Sequence, residues 1–279
     1  MRFLCLHGMG TNPEILESQL DPLRSRLPHT WEFEFLEGEI STNPFPDIAQ
    51  TYSGPYLCYY RYPTPEAVQS AVDTVLDIAK SDGPFDVILG FSNGAALAAT
   101  ALATAASRSP SDPPQFRAAI FFSSITPYRL NSGPVTLTLE GDTIISATRQ
   151  DAPSSSRYDL HTDPEASGLV SELQGRKEIK WSEQEPGRVT TDVLLGYYPP
   201  LHATRSDSKN LIDIPTVHNI GEQDHNYGES SRRLVELCNP RLRTVITHAG
   251  GHHFPREKSV VGKVARAVEE AMERAGWVA

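Results

Sequence analysis

Cysteine is scarce in this sequence: Cys5, Cys58 and Cys238 are the three present, widely separated and without C-x-x-C spacing. A set so scattered argues against a disulfide framework or a thiolate-built metal site, and for a reducing, cytoplasmic setting. Cys5, inside an apolar run, reads as a small buried hydrophobe. Long apolar runs are also missing. None approaches the roughly 18–20 residues that span a bilayer. The opening "MRFLCLHGMGTN" has one basic residue and too short an apolar stretch for a secretion signal. No basic cluster relieves a formal net charge of −10, which argues against nucleic acid and anionic membranes as partners. Solenoid repeats and low-complexity blocks are absent as well.

What is present is an alternation. Apolar runs recur along the 279 residues as "RFLCL", "WEFEFL", "DVILG", "AAIFF", "VTLTL", "PTVHNI" and "RTVITH". The second alternates polar and apolar residues like a half-covered strand, whereas most others are continuous, as in a sheet covered on both faces. Helical patterns lie between several of them. In "PTPEAVQSAVDTVLDIAKSDGP", Thr64 suits the N-cap, Pro65 the first helical position, and Glu66 the positive end of the dipole. Val68, Val72, Val75, Leu76 and Ala79 then recur at helical spacing until Gly83-Pro84. "SVVGKVARAVEEAMERAG" repeats the pattern through Val261, Val264, Ala265, Val268 and Met272. Strands alternating with helices predict one α/β domain over residues 1–279, built on a doubly wound, mainly parallel sheet. Residues 128–210 break the rhythm: they are polar, with "VTLTLEGDTI", "ASGLVSELQG" and "TTDVLLGYY" as their candidate elements. This stretch reads as an insertion or lid rather than a second domain.

The central feature is "DVILGFSNGAALAAT", where Gly90-Phe91-Ser92-Asn93-Gly94 has the G-x-S-x-G spacing of a nucleophile elbow. A sharp strand-to-helix turn lifts a serine hydroxyl clear of the sheet in a strained conformation. The crowding this causes two residues to either side calls for glycine. The motif is credible only between a strand and a helix, and "DVILG" and "AALAATALATAA" supply both. A nucleophilic serine needs a base, and the base an orienting acid. On folds that carry this elbow, Asp or Glu and then His follow the serine in chain order. "TVITHAGGHHFP" is a strand and a Gly250-Gly251 loop bearing His252 and His253; "IPTVHNIGEQD" is a strand and a loop bearing Asp224. His252, beside the glycines, is the candidate base and His253 its rival, because neighbouring side chains point in different directions. Asp224 is the candidate acid; Asp142, in "LEGDT", reads better as a hairpin turn. His218 and His248, within and at the end of strands, read as structural. The histidine cluster lacks the helical spacing of H-E-x-x-H and any thiolate, so no metal is expected. An oxyanion hole would take the backbone N–H of Asn93, after the nucleophile, and that of Met9 in "LHGMGTN". That loop is no dinucleotide fingerprint, since its third glycine would fall at Pro13, and no cofactor is expected.

With these pieces in order, the chain resembles the fungal FSH-type serine hydrolases, α/β-hydrolases related to the human ovarian-cancer-associated serine hydrolase. "LCLHGMGTN", "GPFDVILGFSNGAALAA", "IPTVHNIGEQD" and "HAGGHHFP" carry the likeness along nearly the whole chain. The resemblance implies an α/β-hydrolase fold with Ser92, Asp224 and His252 as the triad, favouring His252 over His253. Relatives commonly carry Gln where this chain has Asn93, with little consequence for a backbone donor. The 128–210 region is longer than in compact members. The resemblance further implies cleavage of acyl thioesters or esters, in the manner of thioesterases of fungal polyketide metabolism, with an acyl-carrier domain as a candidate partner. The acidic balance of the chain disfavours docking on an equally acidic carrier. The alternatives are a general small-molecule carboxylesterase and a non-catalytic acyl-binding protein on the same fold. For the acyl pocket, the cluster Tyr52, Tyr56, Tyr59, Tyr60 and Tyr62 offers apolar faces with polar tips. Tyr56, Tyr59 and Tyr60, with Phe254 beside the histidines, are the candidate lining; equally, such a loop packs its own rings onto the scaffold.

Overall fold

Apolar runs separated by helical stretches produce parallel strands, because a helix returns the chain to the same edge before the next strand begins. The computed structural model describes residues 1–45, 47–109, 111, 113–130, 135–140, 143–149, 188–194, 196 and 211–276. In chain order the elements are β1 (Arg2–Leu6), α1 (Pro13–Arg24), β2 (Glu32–Leu36), β3 (Ile40–Ser41), β4 (Leu57–Cys58), α2 (Pro65–Ser81), β5 (Val87–Phe91) and α3 (Asn93–Arg108). There follow β6 (Ala118–Phe122), β7 (Val135–Glu140), β8 (Thr143–Arg149), β9 (Arg188–Val193), β10 (Thr216–Gly221), α4 (Gly228–Leu237), β11 (Arg243–His248) and α5 (Lys258–Arg274). Six strands form a parallel sheet in the order β11-β10-β6-β5-β1-β2, so β5, which leads into the serine, lies inside the sheet. The architecture is that of an α/β-hydrolase.

Strand alternation sends side chains to two apolar layers. Leu4, Leu6 and Ile88 pack with Val68, Val72 and Val75 of α2 and Leu97 of α3. Phe3, Cys5, Val87 and Leu89 pack on the other face with Leu16 and Leu20 of α1 and Val261, Val264 and Val268 of α5. Helix starts follow capping chemistry: Thr64 Oγ1 accepts the Ala67 N–H at 3.3 Å, and Asn12 Oδ1 accepts the Ile15 N–H at 2.8 Å. β11 is an edge strand, and Val245 on it is 45% exposed. All three cysteines are buried thiols. Among the described residues no helix is long and apolar enough to cross a membrane.

Within residues 128–210, β7, β8 and β9 form a separate antiparallel sheet in the order β8-β7-β9. Val135, Leu137, Leu139, Ile144, Ala147 and Val193 make its apolar face, with Tyr62 packed against it. The Leu194 N–H donates to the Pro63 carbonyl at 2.8 Å, fastening this sheet to the segment before α2. Of "VTLTLEGDTI", residues 135–140 form β7 and 143–144 open β8, and of "TTDVLLGYY", residues 190–193 end β9. "ASGLVSELQG" and Asp142 lie outside the described residues.

Candidate active site

Ser92 sits between β5 and α3 at φ 53° and ψ −114°, a backbone conformation that costs a side-chain-bearing residue strain. Glycine on both sides is a steric demand. A Cβ on Gly90 would come within 2.5 Å of the Ala95 nitrogen, and one on Gly94 would collide with the Leu6 carbonyl oxygen. The strained residue is held from both directions: its N–H donates to the Phe122 carbonyl at 3.0 Å, and its carbonyl accepts the Ala96 N–H at 3.1 Å.

Two further strand ends deliver side chains to this serine. After β10, Asp224 is fixed by the Tyr227 N–H, which donates to its Oδ1 at 3.0 Å. After β11, His252 lies with Nδ1 2.7 Å from Asp224 Oδ2 and Nε2 2.8 Å from Ser92 Oγ. A carboxylate only accepts, so the imidazole proton belongs on Nδ1 and the Nε2 lone pair faces the serine hydroxyl. The two loops meet along bare backbone. The Gln223 N–H donates to the Gly250 carbonyl at 2.9 Å, and a Cβ on Gly221 would lie 2.6 Å from that same oxygen. Asp224 and His252 are almost wholly buried, with side chains 2% and 9% exposed.

His253, the rival base, is engaged elsewhere. Its Nδ1–H donates to the Phe254 carbonyl at 2.7 Å, and its Nε2 accepts the Gly251 N–H at 3.2 Å. His248 Nδ1 accepts the Gly250 N–H at 3.2 Å, and burial, aided by His253, lowers its pKa. Both imidazoles therefore brace the loop that carries His252. Among the described residues, no group of three or more His, Cys, Asp or Glu is arranged to hold a metal ion.

The loop after β1 brings the Gly8–Met9 peptide against the serine, for a Cβ on Gly8 would touch Ser92 Cβ at 3.4 Å. Three donors converge on the Gly8 carbonyl: His7 Nδ1 at 2.8 Å, Thr11 Oγ1 at 2.7 Å and the Thr11 N–H at 3.3 Å. His7 Nε2 accepts the Gly38 N–H at 3.1 Å, which leaves its proton on Nδ1; burial lowers its pKa to about 4 and keeps it neutral. In a trans peptide the N–H opposes the C=O, so three bonds on the carbonyl also fix where the Met9 N–H points. The Met9 and Asn93 amides make no backbone hydrogen bond among the described residues. Asn93 is also the first residue of α3, at the positive end of that helix.

The rings around His252 are Phe45, Phe91 and Tyr227, at centroid distances of 5.5, 5.3 and 4.6 Å. Phe45 also packs with Ala96, Ile125 and Tyr227 in a small apolar cluster. Sequence reasoning did not find Phe45 or Tyr227, which stand in polar or proline-rich loops with no periodicity to mark them. The four rings expected at an acyl pocket are placed differently. Tyr60 is 1% exposed and meets Tyr128 edge-on at 6.0 Å, so it packs the core. The Tyr56 hydroxyl donates to the Tyr52 carbonyl at 2.8 Å, and the Tyr59 hydroxyl to the Leu36 carbonyl at 2.9 Å. Phe254 stacks on Phe91 at 4.7 Å, one ring removed from His252. For these tyrosines the arrangement is that of a segment packing its own rings on the scaffold.

The pattern of the family described as "Serine hydrolase (FSH1)" matches residues 1–264. The chain is 32% identical over 282 residues to "Hydrolase FUB4" of Fusarium oxysporum f. sp. lycopersici, covering 98% of each protein. It is 30% identical over 294 residues to "Esterase alnB" of Emericella nidulans, covering 98% of this chain and 96% of that one. Among solved structures, a carboxylesterase from Mesorhizobium loti is similar with a TM-score of 0.49 and 15% identity, over 96% of this chain and 88% of that one. Since the family match runs from the first strand, through the serine turn and past the histidine loop into the last helix, the chain belongs to the FSH1 serine hydrolases.

Proposed function

We propose that this serine hydrolase cleaves acyl esters or thioesters through a covalent acyl-Ser92 intermediate. The carrying observation is the continuous hydrogen-bonded line from Ser92 Oγ through His252 to Asp224, at 2.8 and 2.7 Å. In this reading Oγ attacks the substrate carbonyl as its proton passes to His252 Nε2, and Asp224 stabilises the imidazolium that results. The oxygen that becomes negative is received by the Met9 and Asn93 N–H groups. Collapse breaks the bond to the leaving alcohol or thiol, which takes the proton from Nε2. Water then gives a proton to His252 and adds to the acyl-serine, and the acid leaves as Oγ recovers its proton. The apolar cluster of Phe45, Ile125 and Tyr227 beside His252 supports an apolar substrate group there.

The finer reading, a thioesterase acting on polyketide-type acyl chains, rests on the family resemblance, as does an acyl-carrier partner; the treatment of residues 128–210 as an insertion rests on their polar, aperiodic sequence. The names of the relatives, hydrolase and esterase, support hydrolysis of small-molecule esters equally well. A fluorophosphonate probe is expected to label the wild type and not Ser92→Ala; equal labelling of both would remove the nucleophile from this scheme. Matched thioester and oxygen-ester series of one acyl length then separate the two leaving groups, and no preference for sulfur would end the thioesterase reading. Acyl binding without turnover would favour a binding protein.

A further inference from the structure

Tyr59 was expected at the acyl pocket, but its hydroxyl stands between two strands. β1 and β2 run in parallel register up to Leu6 opposite Leu36. One residue further, a direct rung would join the His7 N–H to the Leu36 carbonyl. The Tyr59 hydroxyl occupies that rung instead, accepting the His7 N–H at 2.9 Å and donating to the Leu36 carbonyl at 2.9 Å. A hydroxyl inserted in a rung spreads the two strands where β1 ends, at the residue whose ring holds the Gly8 carbonyl. The Tyr59 ring lies against the His7 ring, with centroids 4.8 Å apart, so it steadies both the backbone and the side chain of His7. Desolvation raises the Tyr59 pKa well above its ordinary value, so the phenol keeps the proton it donates.

We infer that Tyr59 is a positioning residue for the oxyanion site: through His7 it sets the plane of the Gly8–Met9 peptide and hence the aim of the Met9 N–H. The inference rests on the acyl-serine reading for its kinetic consequence, but the placement of the loop is testable without turnover. Removing the hydroxyl in Tyr59→Phe leaves the His7 N–H and the Leu36 carbonyl either unpaired or drawn into a direct rung. Either result moves the loop that carries Met9.

The test compares wild type with Tyr59→Phe, and with Phe116→Leu as a core variant remote from the loop. Hydrolysis of a p-nitrophenyl ester is expected to show kcat lower by roughly tenfold or more in Tyr59→Phe, a fraction of the loss typical when an oxyanion donor is removed outright. KM should stay within about twofold, and a phenylboronic acid, whose tetrahedral adduct carries an oxygen in the same position, should bind more weakly by the same factor as kcat falls. Replacing Tyr59 by 4-aminophenylalanine, which keeps a donor and an acceptor at the same point, should restore part of kcat. Phe116→Leu should lower the Tm while leaving kcat and boronate affinity alone. Independently of turnover, amide hydrogen exchange over residues 7–11 should quicken in Tyr59→Phe and not in Phe116→Leu. Unchanged exchange in that segment, or a Tyr59→Phe enzyme with wild-type kcat and boronate affinity, would overturn the inference. If exchange quickens while the wild type neither hydrolyses ester nor takes up fluorophosphonate, the clamp stands and the acyl-serine reading falls.

Discussion

Two loops at the same end of the sheet serve Ser92 in opposite ways. Each begins with a buried histidine on leaving a strand, His7 after β1 and His248 at the end of β11, and each contains a pair of glycines. On the proposed mechanism the first offers a backbone N–H, and side chains hold its peptide: His7 and Thr11 grip one carbonyl. In the second, the group on offer is a side chain, and imidazoles hold the backbone beneath it, through His248 on Gly250 and His253 on Gly251. The two strand-end imidazoles also carry their protons on opposite nitrogens. His7 donates from Nδ1 to a carbonyl, whereas His248 accepts at Nδ1 from an amide. The lesson is that a neutral imidazole serves as a strut of either polarity, chosen by whether the loop must have an oxygen or an N–H tied down.

The sharpest way to break this comparison lies within the second loop. His252→Ala is expected to lower kcat by about 10⁵-fold or more, as loss of a base in a unit of this kind does. His253→Ala should cost only roughly tenfold, because it removes two struts and no reacting group. Ester hydrolysis measured for both variants decides, and an equal collapse would mean that the two imidazoles are not divided into reactant and brace. A smaller effect tests the first loop. Thr11→Ala takes away the shortest of the three bonds to the Gly8 carbonyl, so kcat should fall about three- to tenfold with KM nearly constant. A rise in KM at constant kcat would show that the loop binds substrate rather than the developing oxyanion.

The mildest effect is on stability. His7, His218 and His248 are all held below the ordinary imidazole pKa chiefly by burial, His7 at about 4 and His218 at about 3. An unfolded chain, with imidazoles near 6.5, takes up these protons first. Stability is therefore complete above roughly pH 6.5 and declines as the pH falls toward the folded-state values, the His7 shift alone being worth on the order of 3 kcal/mol. Thermal unfolding followed across this range should show Tm dropping toward acid, with a shallower slope in His218→Gln. An unaltered slope in that variant would remove His218 from the account.

The features readable in advance were those where local sterics leave little choice. Gly90 and Gly94 announce the turn at Ser92 because no side chain fits at either place, and Thr64-Pro65 announces the start of α2 through its capping bond. Strand-and-helix alternation foretold the parallel sheet, though not that β7, β8 and β9 pair among themselves, since a run such as "VTLTL" carries no address for its partner strand. Helix α1 went unread, although Asn12-Pro13 is a fair capping signal. The choice between His252 and His253 turned on side-chain direction, which adjacency in sequence hides. Tyr59 and Phe45 depend on long-range contacts with Leu36 and His252, and nothing within a few residues of either reveals them.

Gly221 draws these loops into a single mechanical part. Its α-carbon abuts the carbonyls of Gly250 and Gly251 so closely that not even a methyl group fits between them. The gap between Asp224 and His252 is thus gauged by main chain packed against main chain. Lengthening either loop, after β10 or after β11, by one residue would have to be matched in the other. The main chain that carries the carboxylate and the main chain that carries the imidazole must therefore change as a matched pair or stay as they are.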